Sequence, residues 1–138
     1  MSKEKREIIQ NILFSLEKLI KTTEKNQDDT QLSSISENIS KNRALAFDQM
    51  CFYEKYIYPT NSNTGNMQTT YLKWKVIYDS YNSPQKVMRQ LHNGLLTKRQ
   101  QNALLQHFLG KNYNREIQQE GFSDKLPYLI HQKYSNTK

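Results

Sequence analysis

Apolar residues recur at spacings of three and four along the first part of the chain. Ile8, Ile9, Ile12, Leu13, Leu16, Leu19 and Ile20 mark one face of a helix predicted over residues 4–26, with Lys5, Gln10, Glu17, Lys18 and Lys21 on the other face. The stripe is wide, which implies packing against more than one neighbour. Asn26-Gln27-Asp28-Asp29-Thr30 breaks the pattern with side chains that compete for backbone hydrogen bonds. A second long helix is predicted over 33–58, capped by Ser33 or Ser34 and ended by Pro59, which pushes the residue before it out of helical geometry. Its apolar positions are Ile35, Ile39, Leu45, Ala46, Phe47, Met50, Tyr53 and Ile57. The two helices are expected to form an antiparallel hairpin burying Ile9, Leu13, Leu16, Ile20, Ile39, Phe47 and Met50.

The polar, Gly-containing segment 59–68 reads as a loop and as the boundary between residues 1–58 and residues 69–138. Shorter helices follow: one over 69–82, one from Pro84 to His92 behind Ser83, one from Thr97 to Leu109, one over 112–120, and one from Asp124 to about Tyr134. Asn93-Gly94, Gly110 and Gly121 supply the stops. No alternating strand pattern of useful length is present. The expected fold is all-α, a hairpin of two long helices followed by a bundle of shorter ones.

Composition sharpens this. The chain has 138 residues, of which 36% are hydrophobic, and a mean hydropathy of −0.91, so the core must be narrow. The net charge is +7. Residues 1–58 hold nine basic residues and nine acids, whereas residues 59–138 hold eleven basic residues against four acids. The whole excess therefore lies in the second part, and an anionic partner, nucleic acid first, is expected there. Lys73, Lys75, Lys86, Arg89, Lys98, Arg99, Lys111, Arg115, Lys125 and Lys133 would supply salt-dependent attraction to phosphates.

Residues 95–123 read helix, Gly stop, short helix, Gly stop, Ser cap, with a helix after them. Short helices separated by tight turns are the helix-turn-helix layout. The residues Leu96, Thr97 and Arg99, then Ala103 and Leu104, Gly110, Glu116 and Ile117, and Phe122 with Ser123 resemble the DNA-binding unit of LuxR-type regulators and the C-terminal region of bacterial sigma factors. The resemblance covers residues 96–131. It implies that Asp124, Lys125, Tyr128, His131 and Gln132 lie on or near a groove-facing helix opened by Ser123. Lys98, Arg99, Lys111 and Arg115 would then serve phosphates, with Lys133 adding to the attraction. Three positions depart from the pattern: Gln118 stands where a small Ala is usual, Glu120 where a Leu is common, and Pro127 inside the presumed recognition helix. A proline fits only the first turn, so this helix is expected to start at Ser123 or Asp124.

Other chemistry is sparse. Tyr71, Trp74, Tyr78 and Tyr81 share one helical face flanked by Lys73 and Lys75; such a stripe either packs in the core or stacks bases. His92, His107 and His131 lack metal-ligand spacing, and Cys51 lies among apolar residues. No cofactor, metal or catalytic motif is recognisable, so no enzyme is expected. No apolar run approaches the ~18 residues of a membrane span, and the mixed-charge start is not a secretory signal. The expectation is a cytoplasmic nucleic-acid-binding regulator, acting on double-stranded DNA and dimerising through the stripe of the first helix. The alternative is a helical interaction module (inhibitor, adaptor or accessory subunit) that meets an acidic protein through a basic and aromatic surface.

Overall fold

The computed structural model describes residues 3–26, 28–57 and 65–135, and all their regular structure is helical. Two long helices, α1 (Lys3–Lys25) and α2 (Thr30–Phe52), are followed by α3 (Gly65–Asn82), α4 (Pro84–His92), α5 (Lys98–Leu109), the single turn α6 (Tyr113–Glu116) and α7 (Phe122–Ser135). The wide stripe of α1 does what its width implies: Ile8, Ile9, Ile12, Leu13, Leu16 and Leu19 are all buried, and α1 packs against α7, α4, α2 and α5. Only Ile20, at the edge of the stripe, is half-buried.

α2 begins earlier than the serines suggest. The Asp29 carboxylate accepts hydrogen bonds from the backbone N–H groups of Gln31 (2.9 Å) and Leu32 (3.1 Å). A carboxylate pairs two orphan donors and favours the positive end of the helix dipole, so it takes the cap in place of Ser33 or Ser34. Ile35, Ile39 and Ala46 are buried, but Phe47 is exposed and Met50 half-buried, against expectation. α2 meets α3, α1 and α7, and in the turn of Phe47 it is the neighbouring Ala46 that faces them. Beyond Phe52 the helix widens into a π-helical turn, Tyr53–Ile57. The predicted stop at Pro59 lies outside the described residues. Of the predicted loop 59–68, the described part, from Gly65 onward, is already helical.

α4 and α5 follow their end signals closely. At the end of α4, the N–H of Gly94 (φ 71°) bonds the Leu91 carbonyl and that of Leu95 bonds the Gln90 carbonyl, the paired closure that a left-handed residue permits. Thr97 and Gln100 cap α5 reciprocally: Gln100 N–H donates to Thr97 Oγ1 (3.1 Å), and Thr97 N–H to Gln100 Oε1 (3.0 Å). α6 is much shorter than the 112–120 predicted. α7 starts at Phe122, so Pro127 sits in its second turn rather than its first. The proline removes the N–H that would bond the Ser123 carbonyl, and both residues are exposed, where water can serve that oxygen. One core runs from Ile8 to Tyr134 and takes buried residues from α1, α2, α3, α4, α5 and α7.

Candidate nucleic-acid interface

α5 presents two faces. Leu104, Leu105 and Phe108 enter the core, while Arg99, Asn102, Ala103, Gln106 and His107 line a groove shared with Thr70, Lys73, Trp74 and Ile77 of α3. The groove has a volume of about 660 Å³, within the range of small-molecule sites. Its walls are pinned at both ends. Gln100 Nε2 donates to the Leu72 carbonyl (3.3 Å), and the Tyr81 hydroxyl meets His107 Nε2 at 2.6 Å.

Charge in the groove is one-sided. No acid lines it, and neither Lys73 nor Arg99 is ion-paired among the described residues. By contrast, Asp79 draws in both Lys75 (3.3 Å) and Lys86 (3.8 Å) outside the groove. Burial, with Lys133 nearby, lowers the His107 pKa to about 4, so this ring is neutral at physiological pH. Burial likewise lowers the pKa of Lys133.

The residues singled out from sequence fall in several places. Arg99 lines the groove, and Lys133, half-buried with Nζ 5.8 Å from the Tyr134 ring centre, faces His107 at its end. Lys98 is exposed in the first turn of α5, while Lys111 and Arg115 are exposed around α6. Ser123, Lys125, Tyr128 and His131 form the outward side of α7, and Tyr128 is 63% exposed. His131 and Pro127 border a smaller cavity, with Phe14 and Lys18 of α1 and Leu32 of α2. The inward side of α7 (Phe122, Leu126, Ile130, Tyr134) is buried, and the helix is held principally by α1 and α2.

Along the aromatic stripe of α3, Tyr81 is buried in the core, while Tyr71, Trp74 and Tyr78 are half-buried, Tyr78 against Phe47 and Trp74 at a groove wall. Asn102, Gln106 and His107 were not singled out beforehand as parts of an interface. The signal was present in the polar residues at 99, 102 and 106, which keep helical spacing opposite the apolar face. No group of three or more metal-binding side chains occurs among the described residues, and no helix there is long and apolar enough to cross a membrane. No protein-family model, curated protein or solved structure matches the chain.

Proposed function

We propose that the protein is a non-enzymatic regulator that binds nucleic acid, double-stranded DNA in the first instance, in the cytoplasm through its basic C-terminal half. The observation that carries this reading is the α3/α5 groove, which among the described residues is lined by no acid and holds Lys73 and Arg99 without ion pairs. Exposed Lys98, Lys111, Arg115 and Lys125 extend the supply of phosphate contacts, and the outward side of α7 offers Lys125, Tyr128 and His131 to a groove of the duplex.

Titration of a labelled duplex at about 50 and about 200 mM salt tests the reading. About four phosphate contacts would weaken binding on the order of 100-fold between these conditions. Replacing Lys73 and Arg99 together by Ala should flatten the salt slope by about two contacts. Absence of binding at the lower salt sinks the proposal.

A second reading, docking on an acidic protein, draws on the apolar side chains left outside the core, among them Leu45 (61% exposed) and Phe52 on α2. The stripe of α1 from Ile8 to Leu19 is buried inside the chain, and Phe14 is the large apolar side chain that α1 leaves exposed.

A further inference from the structure

We propose that the α3/α5 groove takes a single unpaired nucleotide of a nucleic-acid strand, its base stacked on Trp74 and its phosphate held between Lys73 and Arg99. The inference rests on the nucleic-acid reading above and makes it specific. A duplex keeps its bases stacked inside the helix, and a concave groove of about 660 Å³ admits a base only when it is free of that stack. The lining suits such a guest chemically. Trp74 supplies the aromatic face, and Ile77 and Ala103 supply apolar surface for the rest of the ring. Asn102 and Gln106 offer amides, which carry both donors and acceptors for a base edge. The Asn102 side-chain oxygen is shielded from solvent without a hydrogen-bond partner, an unfilled acceptor that a base amino group would satisfy once the amide turns toward the groove. The two cations come from the two helices that form the groove, Lys73 from α3 and Arg99 from α5, so a phosphate entering between them would be drawn by both.

Trp74 is the chain's single tryptophan, so its emission reports on the groove without a label. The full chain is titrated with a single-stranded oligonucleotide as DNA and as RNA, the same strand annealed to its complement, an abasic strand of equal length, and the mononucleotide. Binding is followed in parallel by anisotropy. Quenching by the single strand of either sugar type, and little by the abasic strand, supports the proposal. Trp74→Ala should weaken single-strand binding by about 10-fold, while Trp74→Phe should keep most of it. Because Trp74 also packs on the core, Asn102→Ala provides a second variant, expected to reduce affinity for the strand but not for its abasic counterpart. Duplex binding with no change in Trp74 emission and no loss in either variant overturns the proposal and leaves the nucleic-acid reading standing. Quenching by the mononucleotide without binding of any strand overturns both, as does failure to bind every probe.

Discussion

The Tyr81 hydroxyl lies 2.6 Å from Nε2 of His107, and the two rings meet edge to face with centres 5.5 Å apart. The same hydroxyl is 2.7 Å from that of Tyr134. A consistent arrangement has Tyr134 O–H donating to Tyr81 and Tyr81 O–H donating to a neutral imidazole. This chain joins α3, α5 and α7 behind the groove. Burial pushes both tyrosine pKa values up, so both hydroxyls stay protonated.

Stability should fall in mild acid because of His107. Its pKa drops from 6.5 to about 4 on folding, chiefly through burial and then through repulsion from Lys133. Between those values the unfolded chain binds a proton that the folded chain refuses, so stability is full above pH 6.5 and is lost as the pH falls toward 4. The expected loss between pH 7.5 and 5 is about 2 kcal/mol in urea unfolding. His107→Gln should remove this part of the pH dependence; an unchanged slope would refute the assignment.

The two tyrosines should differ in cost. Tyr134→Phe removes one hydrogen bond and leaves Tyr81 still paired with His107, for a loss of about 1 kcal/mol. Tyr81→Phe strands both the imidazole and the Tyr134 hydroxyl, for about 2–3 kcal/mol. The double variant should cost less than the two losses combined, because it removes one of the stranded groups; strict additivity in denaturant melts would argue against the chain.

Two leucines separate the core from the surface. Leu16 is fully buried and Leu45 is 61% exposed. Leu16→Ala should cost about 2–5 kcal/mol, whereas Leu45→Ala should stay within about 0.5 kcal/mol. Comparable losses in thermal melts would mean that Leu45 is covered in solution.

Pro127→Ala restores a backbone donor to the Ser123 carbonyl in the second turn of α7, at an exposed position. The helix should gain about 1–2 kcal/mol, less than the ~3 kcal/mol of intrinsic propensity because proline also restricts the unfolded chain. A lower melting temperature for this variant would show that the proline is matched to its site.

Much of the fold was legible from residue spacing. The stripe from Ile8 to Leu19, the Ser83-Pro84 start of α4, the start of α5 at Thr97 and the stops at Gly94 and Gly110 are local signals, and each acts within about one turn of the chain, whereas Gly121 does not stop α6, which ends at Glu116, and instead directly precedes α7. The sequence failed where partners are distant. Phe47 looks like a core residue by spacing but is exposed, its ring tilted against Tyr78 at 5.3 Å, while the adjacent Ala46 takes the buried position of that turn. Asp29 outcompeted Ser33 and Ser34 because a charged acceptor binds two N–H groups more strongly than a hydroxyl does.

The candidate site divides in the same way. Periodicity and charge placed the basic excess in residues 59–138 and set Arg99, Asn102, Ala103 and Gln106 along one side of α5, because helical geometry alone decides which side chains share a face. It took the packing of α3 against α5 to bring Lys73 and Trp74 opposite them, to shut His107 away from water, and to leave Asp79 to draw off Lys75 and Lys86. Those are contacts between residues far apart in sequence. Their energy depends on burial and distance, which a one-dimensional pattern does not contain and only the folded chain fixes.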